Sequence, residues 1–309
     1  MLNSEDSREF MRTQIDRPND GQLLITSVRT GKTEIFLVNE RWGDLRNLTR
    51  TSVGENRYPM WSPDGLQIVF TSDRQSQDTY DLFIMDANGH NPRRLTTVEQ
   101  GGTCYYPSWS GSHIYYGYAP PGGRPGTIWW VSVDGSATHC VGPGRDPWIS
   151  PDGRNLVYTQ FDQTGYCLYR MNSEGEDIVQ LTTHQNPIGA VAPIWSPDGS
   201  QILYSDAVGE KLEIFCSGAT GKGRRQLTNL RQYATSAAWS PDMRRISFRL
   251  TDYDYWRHPD AKEYAYRVKQ ADKRPVWVMG ADGSDPKVME SLHYHCSMDG
   301  SRAVWKPAP

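Results

Sequence analysis

The stretch YPMWSPDGLQIVF, residues 58–70, decides the fold because close copies of it recur along the chain. The copies are YPSWSGSHIYY (106–116), DPWISPDGRNLVY (146–158), APIWSPDGSQILY (192–204) and SAAWSPDMRRISF (236–248). The Trp, or the Ile that replaces it once, falls at positions 61, 109, 149, 195 and 239, in steps of 48, 40, 46 and 44 residues. Self-similarity at this spacing indicates a repeated structural unit.

Each repeat predicts four β-strands. The first strand ends at the Trp, and a Ser-Pro-Asp-Gly turn follows, in which Pro presets φ, Asp caps the turn and Gly accepts a positive φ. Next come two alternating apolar strands, such as LQIVFTS and YDLFIMD, and after a Gly-bearing turn a short fourth strand such as RRLTT. Four strands in 40–50 residues are typical of a β-propeller blade.

The C-terminal stretch ESLHYHCSMDG, residues 290–300, is interpreted as the sixth copy, with Cys296 at the Trp position. The N-terminal copy lacks a first strand, so pairing of both chain ends in one blade is expected to close the ring and remove exposed edges. Residues 22–27 and 302–306 both look like a second strand, and the sequence leaves open which of them completes the closing blade.

The repeated x-Pro-x-Trp-Ser-Pro-Asp-Gly core resembles that of the TolB-like (WD40-like) β-propeller repeats, over nearly the whole chain. The resemblance implies an all-β fold, a six-bladed propeller of four-stranded blades. The expected organisation is an N-terminal extension over 1–19 and a single propeller domain over 20–309. Residues 251–274 are expected to form an inserted loop over the mouth of the central channel.

Composition excludes several classes of function. A net charge of −3 and a pI near 6.2 argue against nucleic-acid binding. The sequence contains no run of about 20 apolar residues that would predict a membrane span. Its first residues lack the apolar core of a signal peptide, so a cytoplasmic location is expected. The protein is also expected to be a monomer. The five cysteines have no Cys-x-x-Cys spacing and are expected to be reduced and mostly buried. No Gly-rich phosphate-binding loop appears, so no nucleotide cofactor is expected.

Candidate site residues concentrate on the propeller face that carries the irregular loops, because loops on a rigid scaffold usually hold binding sites. His184 and the 251–274 loop with His258 belong to this face, and His293 begins the neighbouring strand. His293 and His295 are two residues apart, so they point to the same side of that strand. Together with His258 and Glu290 they would suit one divalent transition metal, Mn or Zn.

The spacing Glu-x-x-His-x-His at 290–295 resembles the metal-binding stretch of the oligogalacturonate lyases, propeller enzymes with related repeats. That resemblance implies metal-assisted β-elimination on a sugar acid. Glu290 would replace a glutamine of the family pattern, and His258 would be the third histidine. His184 is then the candidate base, and Arg57 or Arg145 would bind the acid group.

Structural alternatives remain for each of these residues. The histidines could fill space in the channel, and Arg57 and Arg145 could pair with Asp146 or with acids of the loops. The aromatic residues Tyr58, Tyr106, Trp148 and Trp256 could stack on sugar rings or belong to the core.

Two functions therefore stay open on sequence alone. One is a lyase-type enzyme that acts on a small anionic molecule or an oligosaccharide at the channel mouth. The other is a non-catalytic module that binds a protein partner, as the resemblance to TolB implies.

Overall fold

The computed structural model of the chain describes residues 21–39, 45–50, 53–122, 125–163, 165–183, 189–251, 276–289 and 302–307. This part of the chain forms 24 β-strands and no helix. The all-β fold class predicted from the sequence is therefore confirmed.

The strands in the first half of the chain are β1 (Gln22–Ser27), β2 (Glu34–Asn39), β3 (Leu45–Asn47), β4 (Asn56–Trp61), β5 (Gln67–Ser72), β6 (Asp81–Asp86), β7 (Arg93–Arg94), β8 (Thr103–Ser110), β9 (His113–Ala119), β10 (Thr127–Ser132), β11 (Thr138–Pro143) and β12 (Arg145–Ile149). Those in the second half are β13 (Asn155–Phe161), β14 (Tyr166–Asn172), β15 (Val179–Gln180), β16 (Val191–Trp195), β17 (Gln201–Val208), β18 (Lys211–Gly218), β19 (Arg225–Gln226), β20 (Tyr233–Trp239), β21 (Arg245–Thr251), β22 (Val276–Gly280), β23 (Lys287–Val288) and β24 (Val304–Trp305).

These strands pair in antiparallel units of four, as the repeat predicts. Unit 1 joins β24 to β1–β3, and units 2 to 6 are β4–β7, β8–β11, β12–β15, β16–β19 and β20–β23. Units 5 and 6 are connected by one parallel strand contact, between Leu212 and Tyr233. We call the first strand of each unit its inner strand. The fourth strand is only two residues long and exposed in units 2, 4 and 5.

The repeated Trp holds neighbouring units together. Trp61 of unit 2 lies in one core cluster with Leu24 and Ile35 of unit 1. Trp239 of unit 6 packs in the same way with Leu203 and Ile214 of unit 5. The other Trp anchors, which pack likewise against the preceding unit, are Trp109, Trp195 and Trp305. The Trp at this position is therefore the apolar contact through which one unit covers the next.

The Ser-Pro-Asp-Gly turn is held by its own side chains. The Ser62 Oγ donates to Asp64 Oδ1 at 2.6 Å and accepts the Gln67 N–H at 2.8 Å. The same Ser–Asp hydrogen bond recurs in the turns at Ser150, Ser196 and Ser240. Hydrogen bonds to the ionised carboxylate lower the pKa of Asp64, and likewise the pKa values of Asp152, Asp198 and Asp242.

The Leu-Thr pair that follows the fourth strand in units 1, 2, 4 and 5 also has a structural explanation. Thr96 Oγ1 accepts the Leu82 N–H at 2.9 Å and donates to the buried Asp81 carboxylate at 2.9 Å. The equivalent hydroxyls that accept a backbone N–H of the third strand are those of Thr49, Thr182 and Thr228. The hydroxyl thereby satisfies a backbone donor beyond the short fourth strand.

The structure corrects the assignment of the closing strand. The strand paired with β1 is Val304–Trp305, with Trp305 opposite Leu23 as Trp61 is opposite Ile68. The Lys306 N–H donates to Gln22 O at 2.8 Å, which matches the Ser62 to Gln67 bond at 2.9 Å. Trp305-Lys306-Pro307 is thus the sixth copy of Trp-Ser-Pro, and the placement of Cys296 at this anchor was wrong. That placement relied on the Asp-Gly of the turn, which is present in residues 290–300 and does not follow Trp305. Residues 22–27 form the second strand, so both chain ends contribute to unit 1.

The structure agrees in part with the expectation that the cysteines are reduced and mostly buried. Cys104, Cys167 and Cys216 are buried free thiols, whereas Cys140 is a free thiol that is exposed on β11. Cys296 lies outside the described residues.

Replacement of Trp305 by Ala is expected to lower the free energy of unfolding by about 3–5 kcal/mol, because the indole is 5% exposed and joins units 1 and 6. Urea unfolding measures this loss. The control Val179→Ala, on the exposed fourth strand of unit 4, is expected to change the value by less than about 0.5 kcal/mol. Equal effects of the two substitutions would contradict the closing role of Trp305.

The four turn aspartates predict an acid-dependent loss of stability. Since their pKa values are lowered from 3.8 on folding, their contribution is present above pH 3.8 and is lost as the pH falls through the lower folded-state values. These carboxylates are mostly exposed, so each contributes only about 0.2–0.5 kcal/mol. Urea unfolding between about pH 6 and pH 2 should show a steeper decline for the wild type than for a variant with all four replaced by Asn. Parallel curves would contradict this account.

Candidate functional site

A bulge interrupts the inner strands of units 2 to 6 at the same position before the anchor. In units 2 to 6 the ladder between the first and second strands shifts register three residues before the anchor. The residues at this position all adopt a positive φ of 48–56°, and they are Tyr58, Tyr106, Asp146, Ala192 and Ser236. A left-handed conformation costs a non-Gly residue about 1–2 kcal/mol. Because it recurs in five units despite this cost, the bulge is a specific feature of the fold.

The side chains at these bulges meet those of other units. The rings of Tyr58 and Tyr106 lie 4.5 Å apart. The guanidinium carbon of Arg302 lies 5.3 Å from the centre of the Tyr106 ring and 5.0 Å from that of Trp148. The Arg302 Nη2 donates to Pro193 O at a long 3.5 Å. We call Tyr58, Tyr106, Asp146, Trp148 and Arg302 the central cluster.

Two charged residues of the central cluster are buried. Asp146 is 2% exposed and Arg302 is 4% exposed, whereas Tyr58, Tyr106 and Trp148 are half-buried. Neither Asp146 Oδ1 nor Arg302 Nε has a hydrogen-bond partner among the described residues. Buried polar atoms normally have partners, so these two atoms retain unused hydrogen-bonding capacity within the described part of the chain.

Burial dominates the electrostatics of Asp146. Loss of water raises the pKa of its carboxyl group, and the neighbouring Arg145 and Arg302 only partly offset this effect. Burial likewise lowers the pKa of Arg302. The centre of the inner strands therefore combines aromatic surface with opposite charges that are not fully solvated.

The two arginines predicted to bind an acid group have different surroundings. Arg57 forms an ion pair with Glu55 and lies 4.6 Å from the centre of the Tyr80 ring, which matches the structural alternative for this residue. Arg145 packs 5.8 Å from the centre of the Tyr105 ring and donates to the Tyr166 hydroxyl at 3.4 Å. Arg145 is also adjacent to Asp146 and so borders the central cluster.

The other predicted site residues lie outside the described part of the chain: His184, Trp256, His258, Glu290, His293 and His295. The metal site and the candidate base therefore stay predictions. Among the described residues, no group of three His, Cys, Asp or Glu side chains could hold a metal ion.

Sequence reasoning missed Arg302. It precedes Trp305 by three residues, just as Tyr58 precedes Trp61, so it lies at the same offset from the anchor as the bulge residues of the other units. The signal was the Trp-Lys-Pro at 305–307, which lacks the Asp-Gly that made the other copies recognisable. Of the predicted aromatic residues, the structure brings Tyr58, Tyr106 and Trp148 together.

Comparison with known proteins identifies the repeat. Residues 16–188 match a family model described as the TolB β-propeller domain. The uncharacterized protein Atu1656 of Agrobacterium fabrum is 28% identical over 202 residues, which cover 60% of this chain and 66% of that protein. The chain spans less than two thirds of the length of the curated relatives it matches.

Solved structures share the fold at low identity. A putative TolB from Agrobacterium tumefaciens superposes with a TM-score of 0.68 at 19% identity, over 92% of this chain and 94% of that one. An oligogalacturonate lyase in complex with manganese has a TM-score of 0.59 at 13% identity, over 86% of this chain and 73% of that one. Within the described residues, no helix is long and apolar enough to cross a membrane.

Replacement of Asp146 by Asn is expected to stabilise the protein at neutral pH. A raised pKa means that the folded state disfavours the carboxylate, so stability declines as the pH rises above 3.8, by about 1.4 kcal/mol for each unit of pKa. Thermal unfolding of the variant should therefore show a higher Tm than the wild type near pH 7 and little difference below pH 3.8.

The matched control is Asp285→Asn, at an exposed turn, which should show no such pH-dependent gain. A lower Tm for Asp146→Asn at pH 7 would mean that attraction to Arg145 and Arg302 outweighs burial.

Proposed function

We propose that this chain, which belongs to the TolB β-propeller domain family, is a non-catalytic recognition module. A partner polypeptide would bind at the centre of a closed ring of six blades, each formed by one four-stranded unit. The observation that carries this proposal is the central cluster, where half-buried aromatic rings contact the buried Arg302 and the buried Asp146 interacts with that Arg electrostatically. Arg302 and Asp146 each have a polar atom without a partner among the described residues.

The contacts between inner strands support a closed ring. Each inner strand touches the next in the series β4, β8, β12, β16, β20 and β24, and β24 touches β4. In unit 1 the strand that pairs with β1 on the side opposite β2 is β24, which corresponds to the first strand of the other units. A closed arrangement leaves the inner bulge residues facing one another, which accounts for contacts of Arg302 with β8, β12 and β16.

The chemistry of the central cluster suits a binding role. Trp, Tyr and Arg dominate the energetics of protein interfaces because they combine apolar area with a polar group. The bulges fix the backbone at Tyr58 and Tyr106 before binding, which would reduce the entropy lost on association. Such a site would recognise a short protruding segment of a partner.

A metal-dependent lyase is the second candidate, favoured by the fold similarity to the manganese-bound oligogalacturonate lyase. His258, His293, His295 and Glu290 would hold the divalent metal, which would acidify the C–H bond next to a sugar carboxylate. His184 would take the proton, and Arg145 would bind the acid group. Arg57 is less suited to that role because Glu55 already neutralises it.

Selection of peptides from a displayed random library tests the recognition function. Peptides enriched on the wild type are expected to bind Trp148→Ala at least tenfold more weakly, because that indole stacks on Arg302 at the centre. The control Trp130→Ala removes an equally half-buried indole beside His113, away from the central cluster, and should leave binding unchanged.

A second arm tests the lyase. If unsaturated uronates are released from oligogalacturonate in the presence of Mn²⁺ and no peptide is enriched, the function is catalysis and not recognition. Enriched peptides that bind both Trp variants as well as the wild type would place the binding surface elsewhere.

A further inference from the structure

We propose that Arg302 is the receptor for a carboxylate group on the ligand of the central cluster. This inference rests on the proposed binding function and adds to it the chemical group that the site selects. It concerns a residue outside the repeat motif, on the segment that enters the closing strand β24.

The geometry around Arg302 leaves part of its guanidinium group unused. The Tyr106 and Trp148 rings lie about it at 5.3 and 5.0 Å and provide cation–π contacts. Among the described residues, the hydrogen-bond partner of its side chain is Pro193 O, at 3.5 Å, and Nε has none. A guanidinium group donates five N–H bonds in one plane, so several donors remain for a planar acceptor.

The charge balance also favours an anion. Arg302, Arg145 and Asp146 interact with one another electrostatically at the centre, and together they carry one excess positive charge when Asp146 is ionised. A carboxylate matches both this charge and the planar fork of Arg302, with which it can form two parallel hydrogen bonds. The half-buried rings of Tyr58, Tyr106 and Trp148 would cover the apolar or sugar surface next to that carboxylate.

Ligand binding would also reinforce the closing of the chain. Arg302 is two residues before β24, whose Val304 and Trp305 pair with Leu24 and Leu23 of β1. A carboxylate held between Arg302 and the aromatic rings of β8 and β12 would tie this terminal segment to the opposite side of the centre. Amide exchange at 304 and 305 should therefore slow when the ligand binds.

The test compares acids with matched neutral molecules by calorimetry and thermal unfolding. The probes are an acetylated trialanine with a free C-terminus and its amide, and galacturonate and its methyl ester. We expect the wild type to prefer at least one acid over its neutral partner by about tenfold or more, since a charged hydrogen bond is lost with the charge. Preference within the peptide pair assigns the carboxylate to a chain end, and preference within the sugar pair assigns it to a sugar acid.

Three variants test whether Arg302 is the receptor. Arg302→Gln should remove the preference for the acid, whereas Arg302→Lys should retain part of it. Asp146→Asn should bind the acid about two- to tenfold more tightly, because a competing negative charge is removed. A merely structural role for Arg302 would not produce this increase, so Asp146→Asn and Arg302→Lys carry the test if Arg302→Gln fails to fold.

The outcomes separate this inference from the proposed function. Equal binding of acid and neutral probes, or an acid preference that survives in folded Arg302→Gln, overturns the carboxylate receptor and leaves peptide recognition intact. The carboxylate receptor is also overturned if the wild type binds none of the four probes and the library peptides bind equally well as free acids and as amides. Failure of the library to yield any peptide overturns the proposed recognition function, and a galacturonate preference would then assign the receptor to a small sugar acid.

Discussion

The contact between the anchor Trp of one unit and the sheet of the preceding unit is the constraint on which the rest of the structure depends. A four-stranded sheet of this length cannot bury both of its faces by itself, so each unit needs a neighbour on either side. Trp61, Trp109, Trp195, Trp239 and Trp305 meet this need at equivalent positions. In unit 1 this Trp is Trp305, on strand β24. The pairing of β24 with β1 therefore meets the same packing need as the other anchor contacts.

The same inner strands that carry the Trp also create the candidate site. In units 2 to 6 the ladder shifts register three residues before the anchor, and the residue there adopts a left-handed conformation. Packing of the anchor fixes the strand and with it the position of the bulge residue. The anchor is Trp in five of the six repeats, whereas the residue three positions earlier is Tyr, Asp, Ala, Ser or Arg.

The buried Asp146 and Arg302 combine features that lower the stability of the folded state with features that suit ligand binding. Each is nearly inaccessible, each has a polar atom without a partner in the described part of the chain, and burial shifts the pKa of each toward its neutral form. A core that served stability alone would place apolar side chains here. Aromatic rings around such a pair provide a preformed surface with unsatisfied hydrogen-bonding capacity, which is a property of binding sites.

The sequence by itself determined the all-β class, the four-stranded repeat and the turn chemistry, because strand alternation, Ser-Pro-Asp-Gly and the Leu-Thr pair are local signals that act within one unit. It also identified Tyr58, Tyr106, Trp148 and Arg145 as residues near one site, since all four lie one to four residues before the anchor position of their repeats. Only the tertiary structure decided that Val304–Trp305 closes unit 1 and that Arg302 reaches the aromatic rings of β8 and β12. Trp305 is followed by Lys-Pro-Ala-Pro in place of Ser-Pro-Asp-Gly, so the motif did not reveal the register of this strand. The pairing of β24 with β1 joins residues nearly a full chain length apart, and such a contact depends on how the units pack and leaves no local pattern.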